Sequence, residues 1–390
     1  MDFNGDNIRQ LREMNGMSRR ELAEELNITE QAIWQYENNK IFPNIAIFNN
    51  LSKKFNVSSQ YFFEKSKINK NITSEERVAY RAGDKSSRKK TKFELQYLNF
   101  IDYYINYFEG FLKVPVGCIN DLQNESEKII NSTLDNSKAI NEVSLLARKF
   151  LKINDNRNLM YALEKSGIYI LEKKNLGHTI DAYSTFTKDK RSFIILGTYK
   201  KSAVRRTFDL AHELGHLLLH RNIDMETLDH DEYRMIEKEA NDFASEFLLP
   251  KNQFIKDFAN INRPSNPLSY IFLKEKYYVS IAALELRAYK LGLINYQQNR
   301  YFYSKINKLG YKKVEPLDSQ WAPIKPGKIK AMLDIIFENN LLNVSDLSIN
   351  MHISEKFLIN LFDLSNSYFD KYKDIDRNFY ELKSNVINLF

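Results

Sequence analysis

Two histidines four residues apart, with a glutamate directly after the first, occur at His212-Glu213-Leu214-Gly215-His216. On an α-helix, residues at this spacing differ by about 40° around the axis and about 6 Å along it, so both imidazoles can point at one ion. Glu213 then lies beside the water that such an ion activates and can take its proton as a general base. Five residues are a weak signal alone, because paired histidines on a helix face are commonly structural. The surroundings add weight. Leu210, Ala211, Leu214, Leu217 and Leu218 make the helix largely buried, and an imidazole pair without a purpose is costly there.

A second amphipathic helix is expected over Glu232–Leu249, with Ile236, Ala240, Phe243, Ala244, Phe247 and Leu248 as its apolar stripe. At about 100° per residue, Glu237 falls inside that stripe and Glu239 about 100° from its centre. A carboxylate turned into a core needs a proton or a cation, and zinc suits a pair of imidazoles. Glu237 is the expected third ligand and Glu239 the alternative. Asn241, one turn after Glu237, is placed to orient a ligand. Leu219 and Asn222 occupy positions where the longer metzincin motif needs Gly and His, which excludes it. His220 reads as structural, and His178 has no assignment. His230 and Tyr233 read as surface polar residues, with oxyanion stabilisation as the alternative.

Several elements must position these groups. Strand-like segments at Gly167–Leu171 and Arg191–Gly197 precede the histidine helix, which begins near Ser202. The second strand, if it lies at a sheet edge, would take a substrate as an added strand. Upstream, Leu95, Leu98, Phe100, Ile101, Tyr104, Ile105, Phe108 and Phe111 recur at helical spacing up to Pro115, forming either a packing face or the seam of a homodimer. Downstream, Ser280 caps a helix that Gly292 ends. Pro323 and Pro326 then mark a boundary before helices near Lys328–Glu338, Asn343–Asn350 and Ser354–Leu361. These form a helical cluster or a second helix-turn-helix.

The first 65 residues divide into short helices. Gly16 breaks the first, Ser18 caps Arg19–Leu26, Asn27-Ile28 makes a turn, and Thr29 caps a third helix on which Ile33 and Trp34 face the core or a groove. A capped helix, a tight turn and a second capped helix present the second helix outward, the geometry for entering a DNA major groove.

Composition bounds the rest. A chain of 390 residues with 43% hydrophobic and 27% charged residues is folded and too long for one ordinary core. Cys118 is the only cysteine, excluding an intrachain disulfide and a cysteine-based zinc ribbon. No apolar run approaches membrane-spanning length and the start shows no secretory signal, so a cytoplasmic protein with no membrane partner is expected. The net charge is +7, and residues 66–92 carry nine Lys/Arg against three Asp/Glu. That run reads equally as a solvated connector or as one that touches phosphates.

The segment Ser18-Arg-Arg-Glu-Leu-Ala-Glu-Glu-Leu-Asn-Ile-Thr-Glu-Gln-Ala-Ile-Trp-Gln-Tyr-Glu37 resembles the XRE (Cro/cI-like) helix-turn-helix family. The resemblance implies that Thr29, Gln31, Ala32 and Gln35 face the bases of a double-stranded operator, with Arg19, Arg20 and Lys40 on phosphates. The segment Arg205-Arg-Thr-Phe-Asp-Leu-Ala-His-Glu-Leu-Gly-His-Leu-Leu-Leu-His220, with Glu237-Lys-Glu-Ala-Asn-Asp-Phe-Ala244 and Leu248-Leu-Pro250, resembles the ImmA/IrrE metallopeptidases. That likeness implies a gluzincin-like fold: a small mixed sheet on the active-site helix. Members of the family cleave XRE-type repressors in stress responses and mobile elements, so the implied substrate is a repressor or, with both parts in one chain, the protein itself.

The expected fold is therefore mainly α and multidomain. Residues 1–65 form an all-α helix-turn-helix domain, 66–93 a basic linker, 94–145 a helical connector, 146–298 an α+β metallopeptidase domain and 299–390 a helical domain. Zn2+ would be held by His212, His216 and Glu237, with Glu213 catalytic and Asn241 supporting. The expected activity is regulation of transcription with zinc-dependent proteolysis, and self-cleavage would fall in residues 66–93. The competing reading is a transcription factor whose metallopeptidase fold is a non-proteolytic sensor or dimerisation platform.

Overall fold

A computed structural model describes residues 2–66, 68, 87–173, 182–198, 202–223, 228–372 and 387–388, with 87–92 and 387–388 as backbone only. No helix among the described residues is long and apolar enough to cross a membrane. The chain is mainly α. It divides into two compact units, Met1–Val116 with Phe186–Asp189 and Gly327–Phe390, and Gly117–Thr185 with Lys190–Pro326.

The first unit begins with α1 (Gly5–Met14), α2 (Arg19–Leu26), α3 (Glu30–Glu37) and α4 (Ile45–Phe55), followed by a 3-10 turn at Ser59–Phe63. The first four are capped by Asn4, Ser18, Thr29 and Asn44, and Ser18 completes a capping box with Glu21. Each such cap satisfies backbone N–H groups that the first helical turn leaves orphaned. Asn27 ends α2 in the left-handed region at φ 53°, a conformation asparagine tolerates better than most residues. The buried Glu37 carboxylate accepts from Arg12 Nε at 2.6 Å and from Arg19 Nε at 2.6 Å, which ties α3 to α1 and to the start of α2.

Helix α5 spans Ser87–Glu109, so the helix starts inside the stretch read as a basic linker. Its aromatic stripe packs within the chain. The Tyr104 ring lies 5.4 Å from Phe357, Phe100 6.2 Å from Phe357, and Phe108 6.4 Å from Phe362. Leu98, Ile101, Ile105 and Phe108 are fully buried there. The partners belong to the C-terminal helices of this unit, α15 (Lys328–Glu338), α16 (Val344–Asn350) and α17 (Glu355–Leu361). These helices also touch the N-terminal domain. Val57 bridges Ile353, and Ser58 N donates to His352 O at 2.8 Å. A two-residue strand β1 (Leu112–Lys113) pairs in parallel with β5 (Ile387–Asn388).

The second unit opens with α6 (Ile119–Ser132), α7 (Asn136–Phe150) and α8 (Leu159–Lys165). A three-stranded sheet follows, β2 (Tyr169–Lys173), β3 (Ala182–Phe186) and β4 (Ser192–Gly197), in the order β2-β4-β3. Strands β2 and β4 are parallel, from Tyr169 opposite Phe193 to Lys173 opposite Gly197. The condition for strand addition at Arg191–Gly197, a place at the sheet edge, is not met: β4 is central and both its sides are paired. Its continuous run Phe193-Ile194-Ile195-Leu196, fully buried, is the pattern of a strand covered on both faces. The edges belong to β2 and to β3, an element whose mixed Ala-Tyr-Ser-Thr-Phe sequence gave no periodic signal.

Helices α9 (Ala203–Leu219), α10 (His230–Leu248), α11 (Lys251–Phe258), α12 (Ile271–Tyr277), α13 (Ile281–Lys290) and α14 (Tyr296–Lys308) complete the unit. Ser280 caps α13 by accepting from Ala283 N at 3.1 Å. The fully buried Lys274 ammonium sits 2.7 Å from Glu315 and 2.6 Å from Asp318, and Glu315 also accepts from Ile281 N at 2.8 Å. That arrangement fastens the chain beyond α14 to the start of α13.

One buried carboxyl of this unit makes stability depend on pH. Glu285 accepts from Asn299 Nδ2 at 2.9 Å, and burial pushes its pKa up to about 7, against the lowering effect of hydrogen bonds from Asn299 and Tyr303. Between the ordinary carboxyl value and about 7 the folded chain holds a proton that the unfolded chain has released, so stability falls as pH rises through that window. Glu285→Gln, with a neutral side chain of the same shape, is expected to melt higher than the wild type at pH 8, by on the order of 1–3 kcal/mol, and to lie close to it at pH 5. Parallel melting curves at the two pH values check this.

Candidate metal centre

Helix α9 carries the histidine motif along a face that is otherwise core, and Gly215 lets a second helix come close to it. A Cβ at Gly215 would lie 3.0 Å from Phe243 Cδ1 and 3.4 Å from Ala240 Cα. With no side chain there, α10 settles onto α9, and Ala240, Phe243, Ala244 and Phe247 are all fully buried in the contact. Glu237, one turn before Ala240, is thereby carried to the two imidazoles. His212 Nε2 lies 3.0 Å from His216 Nε2, and the Glu237 carboxylate is 3.3 Å from each of them. One ligand atom from each of the three residues falls within 4.8 Å of the others. Two imidazoles and one carboxylate converging with an open side form the donor set of catalytic zinc sites, so the chemistry of the residues fits the metal.

The far nitrogens are held as well. A metal at the shared centre would take each Nε2 lone pair and so leave the proton on each Nδ1. His212 Nδ1 donates to Asn241 Oδ1 at 3.2 Å, and Asn241 Nδ2 donates to the Glu237 carbonyl at 2.7 Å. His216 Nδ1 faces His220 Nδ1 at 3.1 Å, His220 Nε2 reaches Glu239 Oε2 at 2.9 Å, and Asn136 Nδ2 donates to Glu239 Oε1 at 2.5 Å. Burial works against the Glu239 charge, but the hydrogen bonds from His220 and Asn136 outweigh it and hold its pKa below the ordinary value. Sequence reasoning took His220 as structural and Glu239 as an alternative ligand. Their pairing depends on a contact between α9 and α10 that no spacing rule displays, although His220 lies four residues after His216 and so on the same face.

Glu213 is 1% exposed, on the turn of α9 between the two histidines. Strand β3 lies against that turn, where Ser184 Oγ donates to the Glu213 carbonyl at 3.3 Å. Tyr233 sits one turn before Glu237 and is half-buried, whereas His230 is exposed at the start of α10. His178 lies outside the described residues.

In the N-terminal domain the structure separates the two residues left between core and groove: Ile33 is fully buried and Trp34 is 39% exposed. Gln31 and Lys40 are exposed, and Ala32 and Gln35 half-buried. Thr29 Oγ1 accepts from Ala32 N at 3.2 Å as the cap of α3. Arg19 is engaged by Glu37, and Arg20 Nε pairs with Glu24 at 2.9 Å on the surface.

Residues 5–68 match the family model described as "Helix-turn-helix domain", and residues 163–289 match the Peptidase_M78 model, described as "IrrE N-terminal-like domain". The chain is thus a fusion of a helix-turn-helix domain with a metallopeptidase-like domain. No curated protein matches the chain.

The hydrogen-bond chain behind His216 yields a quantitative expectation. Such outer partners typically contribute tenfold to a hundredfold to metal affinity. Glu239→Ala is expected to weaken zinc at least tenfold in a chelator competition. Glu239→Gln, whose amide oxygen still accepts from His220, should weaken it less. Equal affinity in all three proteins would show that the chain behind His216 is only packing.

Proposed function

We propose that the chain is a DNA-binding transcription regulator whose middle domain is a zinc-dependent endopeptidase acting on a repressor-type protein or on the chain itself. The observation that carries this reading is the convergence of His212, His216 and Glu237 beside the buried Glu213. A zinc ion bound there supplies Lewis acidity, polarising a peptide carbonyl and making water nucleophilic near neutral pH. Glu213 accepts a proton at its carboxylate from the attacking water and returns it to the leaving amine. Asn241 and the His220–Glu239 pair hold the imidazoles in one tautomer throughout. Tyr233, one turn before Glu237 on α10, steadies the developing oxyanion.

The same proposal assigns Thr29, Gln31, Ala32 and Gln35 to base edges and Arg19, Arg20 and Lys40 to phosphates, in an operator of double-stranded DNA. Trp34 joins that surface. Arg19 and Arg20 must exchange a glutamate for a phosphate on binding, which moderates affinity and favours DNA at low salt. Much of the stretch 66–93 proposed for self-cleavage lies outside the described residues. From Ser87 onward the backbone is helical, and a peptidase takes an extended segment, so any cut in that stretch is expected before Ser87.

The decisive experiment pairs metal content with proteolysis. The wild type is expected to hold about one zinc per chain, and His212→Ala/His216→Ala to hold none. Glu213→Gln should keep the zinc while losing at least a hundredfold in cleavage of an XRE-type repressor or of the chain. Metal-loaded wild type that cleaves neither would overturn the peptidase reading and favour the non-proteolytic sensor.

A further inference from the structure

A groove leaves the metal cluster between α10 and α13. On α10 it is lined by Glu237, Asn241, Ser245 and Leu248, spaced four, four and three residues apart along one stripe. On α13 the lining residues are Ala283, Leu286 and Lys290, again on one stripe, with Val279 just before the helix. The two helices run in opposite directions: Lys290 Nζ lies 2.5 Å from Asp242, while Arg287 holds Glu246 at 2.6 Å through both its terminal nitrogens. Lys290 therefore stands near the metal end and Val279 near Leu248 and Leu249 at the far end. Phe208, one turn before His212 on α9, adds an aromatic wall.

The groove is open because its facing residues are small. Ser245 and Ala283 stand where larger side chains would fill the space between the helices. The cavity is about 590 Å³, within the range that holds a ligand of more than one side chain. Its chemistry is divided. Away from the cluster it is apolar, through Phe208, Leu248, Leu249, Val279 and Leu286. Beside the cluster its rim is basic, with Arg234 and Lys238 exposed to solvent.

We propose that this groove is the specificity pocket of the peptidase, and that it takes a peptide segment with a bulky apolar side chain next to the scissile bond and an acidic residue within two positions of it. The proposal rests on the proteolytic reading. Glu237 and Asn241 belong to both the metal cluster and the groove wall, so a peptide whose carbonyl reaches the cluster has its neighbouring side chain at the groove mouth. A bulky apolar group entering there passes the rim and displaces water from Phe208 and Leu286 further in, while the Arg234 and Lys238 rim attracts a carboxylate.

The test uses the full-length, zinc-loaded chain and a random ten-residue peptide library, with cut sites read by mass spectrometry. Leu, Ile, Met and Phe beside the cut are expected to be favoured at least tenfold over Asp, Lys and Ser. Ala283→Trp fills the groove without touching the metal ligands, and should reduce that preference at least tenfold while cleavage beside alanine persists. Arg234→Glu, an exposed change, should replace the acidic preference with a basic one. Unselective cleavage by the wild type, or a preference unaltered in both variants, would overturn the proposal. A binding arm separates the two readings. If a labelled Glu-Leu-Phe-Glu peptide binds the wild type at least tenfold more tightly than Ala283→Trp but is not cut, proteolysis fails and the groove stands. If it binds neither and no library peptide is cut, the groove proposal fails as well.

Discussion

The close approach of α9 and α10 at Gly215 is the constraint on which the rest of the site depends. A histidine pair on one helix offers two ligands, and the third must come from elsewhere at ångström precision. Placing glycine where Phe243 and Ala240 press in lets two helices share a buried seam. The apolar seam does the holding, since Phe243, Ala244 and Phe247 lose all their exposure in it, and each phenylalanine contributes about 1.5–3 kcal/mol when withdrawn from water. The polar residues are passengers of that packing. Glu237 arrives beside the imidazoles because it precedes Ala240 by one turn, and Glu239, on the other flank of the seam, meets His220 one turn beyond His216.

That geometry concentrates charge in a poorly solvated place. A carboxylate and two imidazoles drawn together repay their desolvation only if each remaining lone pair and proton finds a partner. The hydrogen bonds to Asn241, His220 and Asn136 meet that demand on the imidazole side, and a metal at the centre would fix which nitrogen of each ring faces it. The same logic appears at the N-terminal domain, where the buried Glu37 is held by Arg12 and Arg19 and the outward helix α3 is thereby set against α1. In both places an acid paired more than once lies where helices meet.

Much of this was legible in the sequence, and the reason differs from element to element. The capped helices of residues 1–65 were readable because their start signals are local: Ser18 and Thr29 each bond a backbone group three residues on. The sequence distinguishes Glu237, the proposed ligand, from Glu239 because a helix turns by a constant angle, which puts one inside the apolar stripe and the other outside it. Non-local facts were hidden. That the aromatic face of α5 meets Phe357 and Phe362 depends on residues some 250 positions away in the chain, and local periodicity only says that such a face must be covered. The place of β4 was left open, although its run of four apolar residues carries the signal of a covered strand. Strand β3 alternates too weakly to be read, and the groove between α10 and α13 exists only once two helices with small residues face each other.

The central claim is that packing between α9 and α10 builds a zinc site from two imidazoles and one carboxylate. X-ray absorption at the zinc edge of the metal-loaded full-length chain tests it most directly, because it reports the atoms around the ion independently of any activity. The account predicts two imidazole nitrogens and two oxygens, one from Glu237 and one from water, at about 2.0–2.2 Å; Glu237→Gln should alter that shell and Glu239→Gln should leave the ligand set intact. A shell of three imidazoles that includes His220, or a sulfur neighbour from Cys118, would contradict it.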